Sequence, residues 1–343
     1  MRAVATARRA MMLAVLWGVI AVRAIARGEP AAPDASAKRA AATMVVIAPV
    51  VDVRAHPAPA RSASEHDPNQ ETQLLYGEHV RVLERQGAWA RIEAQEQPEF
   101  SHHARWEGYP GWVPLHALLP ETERRTPTLA VSVKWAAIHM APHETAPTLL
   151  TVAMGTWLTA FETQDDWWHV HLPDKGTGWI RRAETRSLQT LAATPTAQQR
   201  QQLLAAAQQL LDDPYRWGGR SPYRADVASP LTGVDCSALV QLAYRTIALS
   251  IPRDAHEQHL RSRSISRAQL QPGDLVFLSK AQEPQQIVHV LLYEGNGRLI
   301  EGPGTGLRVR EISWVERFGR AFGRTEAGQA VNGQTLWFGA YLP

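Results

Sequence analysis

The sequence predicts an α+β protein in which a β-rich N-terminal part precedes a domain of mixed helices and strands. Three patterns in the 343-residue chain support this prediction. A weak internal repeat with alternating apolar residues and glycine turns lies between residues 44 and 188, as is typical of short strands. Apolar residues at helical spacing follow residue 196, where Thr196 and Gln199 predict a capping box at the helix start, and a strand–turn–strand pattern occupies residues 286–301.

Residues 1–26 have the features of a signal peptide. Arginines precede an apolar run at residues 10–22 that is short for a membrane span, and Ala24-Ile25-Ala26 fits a small-x-small cleavage site. We therefore expect export to the periplasm or cell envelope, with no membrane span in the mature form. Arg23 is atypical before such a site, so an uncleaved N-terminal anchor is the alternative. Residues 27–43 are rich in Ala, Pro and basic residues and predict a linker.

The internal repeat predicts two small β-barrels, at residues 44–120 and 126–190. The shared positions are Gly77, Trp89 and Gly111-Trp112-Val113 in the first copy, and Gly155, Trp167 and Gly178-Trp179-Ile180 in the second. Trp89 and Trp112 are 23 residues apart, whereas Trp167 and Trp179 are 12 apart, so the first copy carries an insertion around residues 95–110. We expect all four tryptophans to pack in the cores of the barrels.

The chain has a single cysteine, Cys236. One thiol cannot form a disulfide within the chain, and zinc sites need several Cys or His ligands. An exported protein that keeps one thiol favours a catalytic nucleophile, and a buried apolar cysteine is the alternative. Asp235 is predicted to cap the apolar helix that follows, which places the thiol in the first turn, where the helix dipole favours a thiolate. Asp235 opposes that effect by its own charge, so a nearby base is needed.

His289 is the best candidate for this base. It lies in the predicted strand 286–293, the turn 294–297 follows, and Glu301 ends the returning strand. His289 and Glu301 can therefore be neighbours on adjacent strands. A carboxylate in that place can orient the imidazole and complete a Cys-His-acid arrangement. An ordinary core histidine and a surface glutamate are the alternative interpretation.

Five motifs occur in order from residue 215 to residue 295. They are Tyr215-x-Trp217-Gly218-Gly219, Asp235-Cys236-Ser237, Ile251-Pro252-Arg253-Asp254-Ala255, Gln271-Pro272-Gly273-Asp274-Leu275-Val276-Phe277 and His289-Val290-Leu291-Leu292-Tyr293-x-Gly295. Together they resemble the NlpC family of papain-like cell-wall cysteine peptidases, which implies such a domain at residues 195–343. The repeats resemble bacterial SH3-like domains. The whole layout is similar to that of γ-D-glutamyl-L-diamino acid endopeptidases of the dipeptidyl-peptidase VI type.

This resemblance implies a function and a role for each site residue. The enzymes it points to cut the bond from D-Glu to the diamino acid in murein peptides with a free N-terminal L-Ala. The implied catalytic residues are Cys236 as nucleophile, His289 as general base, Glu301 in the third polar position and Tyr215 in the oxyanion pocket. The implied substrate-binding residues are Asp254, Glu71 and Tyr109 at the free amine, and Ser237 in the D-Glu subsite. Glu301 stands where a second His is common, which leaves the pH optimum open.

Composition and charge argue against other classes of function. The 36 basic and 33 acidic residues are interspersed, with a net charge of +3, which does not suit a nucleic-acid-binding face. The pair His102-His103 lacks further ligands at metal-binding spacing, so we expect no metal, and the implied chemistry needs no cofactor. His256 and His259 are expected to be exposed.

Three alternative functions stay open at this point. The same fold could cut intact murein stems, or it could act as an acyltransferase or amidase, because a Cys-His pair does not specify the acyl group. The protein could also be a non-catalytic cell-wall-binding protein. If Glu71, Tyr109 and Asp254 lie together beside Cys236, the hypothesis that the site binds a free amine of the substrate is favoured.

Overall fold

A computed structural model describes residues 42–60, 66–226, 231–280 and 282–343. The predicted signal peptide and the predicted linker up to residue 41 lie outside these ranges. No helix among the described residues is long and apolar enough to cross a membrane.

The first seven strands form one antiparallel sheet in the order β3-β2-β6-β5-β4-β1-β7. The strands are β1 (Ala42–Val46), β2 (Val50–Arg54), β3 (Gln70–Leu75), β4 (His79–Gln86), β5 (Trp89–Glu99), β6 (Glu107–Pro114) and β7 (Leu118–Pro120). A 3₁₀ turn at Leu115–Ala117 precedes β7. Every strand contributes buried apolar residues to a single cluster, so the sheet curves around one core. We refer to it as the first barrel.

The next seven strands repeat the same topology, in the order β10-β9-β13-β12-β11-β8-β14. They are β8 (Leu129–Val131), β9 (Trp135–His139), β10 (Thr148–Ala153), β11 (Trp157–Gln164), β12 (Trp167–Leu172), β13 (Gly176–Arg181) and β14 (Thr185–Ser187), with a 3₁₀ turn at Arg182–Glu184. This second barrel has its own apolar cluster, and the short helix α1 (Leu188–Ala192) follows it. The β5–β6 hairpin is longer than the β12–β13 hairpin, which locates the extra residues of the first repeat.

The C-terminal domain packs helices on an antiparallel sheet. Its helices are α2 (Thr196–Gln208), α3 (Cys236–Arg245), α4 (Ala255–Arg261) and α5 (Trp314–Phe318). Its strands are β15 (Arg220–Ser221), β16 (Gly233–Val234), β17 (Arg263–Ser264), β18 (Leu275–Lys280), β19 (Glu283–Gly295), β20 (Arg298–Glu301), β21 (Arg310–Ser313), β22 (Ala330–Val331) and β23 (Gln334–Ala340). The main sheet has the order β17-β23-β18-β19-β20-β21, β22 pairs with β23, and β15 pairs with β16. Two 3₁₀ turns lie at Arg267–Gln269 and Phe322–Arg324.

Helix α3 is the centre of this domain. All ten of its residues are buried, and its apolar side chains share one cluster with α2 and with one face of the sheet. The opposite face of the sheet packs against Trp314 and Phe318 of α5. A helix buried on all sides has a fixed position, so the residue at its start is held rigidly.

Buried charges join the three units. The Glu78 carboxylate of the first barrel accepts hydrogen bonds from Arg220 Nη2 at 2.7 Å and Nη1 at 3.1 Å, and Arg245 Nη2 lies 3.4 Å from it. Arg245 Nε also donates to the Gly155 carbonyl of the second barrel at 2.8 Å. Both arginine side chains are fully buried. Because a buried charge is tolerated only when it is paired, this network fixes the barrels against the C-terminal domain.

Two local predictions need correction. Thr196 was expected to cap α2, but it is the first helical residue and the cap position is Pro195, without a side-chain hydrogen bond. Among the tryptophans, Trp167 and Trp179 are buried, whereas Trp89 and Trp112 are only half-buried. Proline suits position 195, at the start of α2, because its ring fixes φ and a backbone N–H there would have no acceptor within the helix.

Glu78→Gln is expected to destabilise the protein by about 3–5 kcal/mol, because it leaves the buried Arg220 and Arg245 without their common carboxylate. Urea denaturation followed by tryptophan fluorescence measures the change. Glu84→Gln is the matched control. Glu84 pairs with Arg91 at 3.0 Å on the surface, where both side chains are about half exposed, so its loss should cost under about 1 kcal/mol. Equal effects of the two changes would contradict the role given to the buried network.

Candidate active site

Seven of the eight predicted site residues line one cleft of about 550 Å³ between the first barrel and the C-terminal domain. They are Glu71, Tyr109, Tyr215, Cys236, Ser237, Asp254 and His289. The eighth, Glu301, is fully buried behind His289. Gly218 allows the two units to approach, since a Cβ there would lie 2.7 Å from Gln70 Cγ and its φ is +65°.

Cys236 is the first residue of α3 and is 9% exposed. The prediction that Asp235 caps this helix is confirmed, because Asp235 Oδ1 accepts the Ala238 N–H at 2.8 Å. Backbone N–H groups in a first turn have no acceptor one turn earlier, and the helix dipole points its positive end at the thiol. The thiol therefore lies where negative charge on sulfur, or on an oxygen bound beside it, is favoured.

Arg253 changes the expected effect of Asp235. Its guanidinium is fully buried and donates to Asp235 Oδ2 at 2.7 Å and to Oδ1 at 3.1 Å. Burial lowers the pKa of Arg253, but the carboxylates of Asp235 and Asp254 outweigh burial and raise it. Arg253 is thus a permanent cation that neutralises Asp235. The sequence placed this arginine in a motif but gave no sign of its role, because the partner is distant in sequence.

The side chains of His289 and Glu301 meet as their positions across the turn predicted. His289 Nε2 lies 3.1 Å from Glu301 Oε2, so the ring donates its Nε2–H and keeps Nδ1 as its basic position. Burial raises the pKa of Glu301, but His289 and two arginines lower it to about 2 overall. Burial lowers the pKa of His289, but the neighbouring Cys236 thiolate and Glu301 raise it to about 9. The imidazole is therefore protonated at neutral pH when a thiolate stands beside it.

Glu71, Tyr109 and Asp254 form a second cluster in the cleft. The Tyr109 hydroxyl donates to Asp254 Oδ2 at 3.1 Å and lies 3.5 Å from Glu71 Oε2. The carboxyl side chains of Asp254 and Glu71 are 40% and 26% exposed, and both line the cleft. Desolvation raises the pKa of Asp254 to about 6, because it outweighs the attraction of Arg253. The cluster can bind a cationic group.

The insertion of the first repeat supplies cleft residues that sequence reasoning missed. His102 Nδ1 lies 2.8 Å from Glu99 and its Nε2 lies 3.9 Å from Glu71. The nearby carboxylates of Glu71 and Glu99 raise the pKa of His102 to about 10. Ser101 beside it donates its N–H to Glu257 of the C-terminal domain at 3.1 Å. The signal for these residues was the unequal length of the two repeats.

Tyr215 and Ser237 complete the surroundings of the thiol. Tyr215 is buried, and desolvation together with the charges of Asp235 and Cys236 raises its pKa well above the ordinary value. Its phenol is therefore a neutral O–H donor. The Ser237 hydroxyl donates to Asp235 at 3.2 Å and accepts from Arg253 at 2.9 Å, so it helps to hold the helix cap.

The surroundings of three histidines, His256, His259 and His103, differ from the predictions. His256 and His259 were expected to be exposed, but both are half-buried, and His259 packs edge-on against Phe277 with ring centres 5.2 Å apart. Glu99, His103 and Glu107 lie together at the base of the insertion, with potential metal-ligand atoms within 4.8 Å of one another. Within the described residues, ion pairs with His102 and Arg105 already balance these two carboxylates.

Comparison with known proteins assigns two domains. Residues 212–321 match the NlpC/P60 family, and residues 60–97 match the bacterial dipeptidyl-peptidase SH3 domain. A γ-D-glutamyl-L-lysine dipeptidyl-peptidase from Bacillus cereus is 28% identical over 237 residues, which are 68% of this chain and 67% of the relative. The murein DD-endopeptidase MepH of Escherichia coli is 42% identical over 113 residues, but these are only 32% of this chain and 38% of that one.

A crystal structure of an NlpC/P60 family protein from Bacillus cereus has the same fold. It aligns with a TM-score of 0.69 and 24% identity, and the alignment covers 88% of this chain and all of that one. The domain matches and these relatives show that the protein is a cysteine-type peptidase with an NlpC/P60 domain and a bacterial SH3 domain.

Glu301→Gln is expected to lower the pKa of His289 from about 9, because a neutral amide does not stabilise the positive charge of the imidazolium as a carboxylate does. NMR titration of the His289 ring measures this shift. Glu71→Gln is the control, since Glu71 lines the cleft without contacting His289. An unchanged His289 titration in Glu301→Gln would contradict the coupling.

Proposed function

We propose that the protein hydrolyses the γ-D-glutamyl–L-diamino acid bond of murein peptides that have a free N-terminal L-Ala. The observation that carries this proposal is the presence of Glu71, Tyr109 and Asp254 in the same cleft as Cys236. A γ-D-glutamyl-L-lysine dipeptidyl-peptidase among the relatives supports the same bond. L-Lysine is accordingly the first diamino acid to test.

The proposed chemistry uses Cys236 as nucleophile and His289 as proton carrier. The thiolate attacks the γ-carbonyl carbon of D-Glu, and the carbonyl electron pair moves to oxygen. As the intermediate collapses, the C–N bond breaks and His289 gives its proton to the leaving amine. Water then attacks the thioester with His289 as base and releases the L-Ala-D-Glu dipeptide. Glu301 orients the ring through the Nε2 hydrogen bond at 3.1 Å.

Stabilisation of the oxyanion is proposed for Tyr215 and the start of α3. Tyr215 remains protonated because its pKa is raised, so it can donate to a developing negative charge. The N–H of Cys236 at the helix start is a second donor of the right kind. Ser237 lines the adjacent D-Glu subsite, where its hydroxyl also keeps Asp235 and Arg253 in place.

The specificity for a free N terminus is proposed to come from the acidic cluster. Glu71 and Asp254 offer two carboxylates to the L-Ala ammonium group, and Tyr109 positions Asp254 at 3.1 Å. An intact stem, acylated at L-Ala, would desolvate these carboxylates without bringing an ammonium group to pair with them. The acidic cluster therefore favours the free-amine substrate over cleavage of intact stems, and the match to MepH, an endopeptidase, covers only 32% of this chain.

We also propose that the second barrel is an SH3-like domain, since its strand order is the same as that of the first. The proposed domain bounds are 44–120, 126–190 and 195–343. Residues 1–26 are proposed to direct export to the periplasm or cell envelope, where murein peptides are the partners. The thiol mechanism needs no metal or cofactor, and no nucleic acid is expected to bind.

N-acetylation of L-Ala-γ-D-Glu-L-Lys is expected to reduce kcat/KM by the equivalent of about 2–5 kcal/mol, because it removes the ammonium group that would pair with Glu71 and Asp254. Asp254→Asn should shrink this preference while Cys236 still reacts with iodoacetamide. The preference should also weaken as the pH falls through about 6, where Asp254 gains a proton and loses its charge.

The measurement is the ratio of kcat/KM for the free and acetylated peptides, on wild type, Asp254→Asn and Asp166→Asn. Asp166 is exposed on the second barrel, so its change should leave the ratio intact. Cys236→Ala should be inactive on both peptides and serves as the blank. Equal kcat/KM values of the wild type for the two peptides would rule out recognition of a free amine.

A further inference from the structure

The single negative charge of Glu301 does not balance the positive charges of the arginines around it. Arg310 Nη2 donates to Glu301 Oε1 at 2.7 Å, and Arg317 Nε donates to Oε2 at 3.0 Å. The one carboxylate is thus shared by two guanidinium groups, so one positive charge is left over even before His289 is protonated. Such an excess beside a reactive thiol favours an anionic group of the substrate.

Of the two arginines, only Arg317 faces the substrate. It is the one arginine or lysine among the described residues that line the cleft. It uses Nε for Glu301, and no hydrogen-bond acceptor among the described residues takes its two terminal amino groups. Its side chain is 21% exposed, whereas that of Arg310 is 46% exposed and lies outside the cleft lining. Arg317 therefore has a planar pair of donors free for a carboxylate.

Arg317 lies beside the place where the leaving group of the reaction would bind. His289 Nε2 and Arg317 Nε contact the same oxygen, Glu301 Oε2, at 3.1 and 3.0 Å, so the guanidinium lies beside the imidazole. The imidazole must reach the leaving nitrogen to protonate it. The α-carboxylate of the released amino acid is attached to the carbon that carries this nitrogen. A carboxylate so placed lies next to His289, at the basic end of the cleft and away from the acidic cluster.

We propose that Arg317 binds the α-carboxylate of the leaving diamino acid. The cleft then selects peptides in which the diamino acid is the C-terminal residue, and it disfavours stems that continue beyond it. This inference rests on the proposed function, because it concerns the leaving group of that reaction. Arg317 is a specificity-determining residue in addition to its hold on Glu301.

The test compares L-Ala-γ-D-Glu-L-Lys with its C-terminal amide. In the wild type, amidation should lower kcat/KM about 10- to 100-fold, the usual scale for losing a hydrogen bond between charged groups. Arg317→Gln should bring this ratio close to one. Arg317→Lys, which keeps the charge and is the milder change, should retain part of the preference.

Arg310→Gln is the matched control. It removes the other arginine from Glu301, so it should slow both peptides alike and leave their ratio at the wild-type value. A third peptide, amidated at the α-carboxyl of D-Glu, tests the other anion near the scissile bond. Its reaction with Arg317→Gln should fall as steeply, relative to the wild type, as that of the unmodified peptide, because it keeps the C-terminal carboxylate.

Two results would overturn the inference. One is a wild-type enzyme that hydrolyses the acid and the C-terminal amide at equal rates. The other is a preference for the C-terminal acid that both Arg317→Gln and Arg317→Lys keep in full. The same holds if Arg317→Gln loses only a preference for the free α-carboxyl of D-Glu. A wild type that hydrolyses none of the peptides would instead contradict the proposed function.

Discussion

The arrangement of the site depends on one buried cation, Arg253. Its guanidinium donates to Asp235, which caps the helix of Cys236, and to the hydroxyl of Ser237. Its Nε donates to Thr72 of the first barrel at 2.7 Å, and its Nη1 lies 3.4 Å from Asp254. A fully buried guanidinium must have all these partners in place, because an unpaired charge there would cost several kcal/mol. The position of the nucleophile, the seating of the barrel and the acidic cluster are thereby linked.

The cleft that results has opposite charges at its two ends. Glu71 and Asp254 make one end acidic, and Arg317 beside His289 makes the other end basic. In the proposed reaction a short peptide with a free amine and a free carboxylate fits between them, with the γ-carbonyl over Cys236. The first barrel contributes to chemistry in this account, because it supplies Glu71 and Tyr109 and, through its insertion, His102. Specificity for small fragments then follows from charge pairing at both termini.

Local sequence signals predicted the parts of the site that depend on near neighbours. The cap by Asp235, the position of Cys236 at a helix start and the meeting of His289 and Glu301 across a turn follow from capping and hairpin rules. Arg253 and Arg317 could not be assigned roles, because their partners are brought close only by tertiary packing. The same limit applies to Glu78 and Arg220, which are far apart in sequence yet form a buried pair. The predicted cap of α2, Thr196, is wrong, because Thr196 is already helical and Pro195 stands at the cap position.

The central claim is that the first barrel and the C-terminal domain together bind the free amine of the substrate. A crystal structure of Cys236→Ala with L-Ala-γ-D-Glu-L-Lys bound tests this claim most directly. The account predicts the ammonium group within hydrogen-bonding distance of both Glu71 and Asp254, and the γ-carbonyl carbon next to the alanine that replaces the thiol. A peptide bound with its N terminus in solvent, or away from Glu71, would contradict the account.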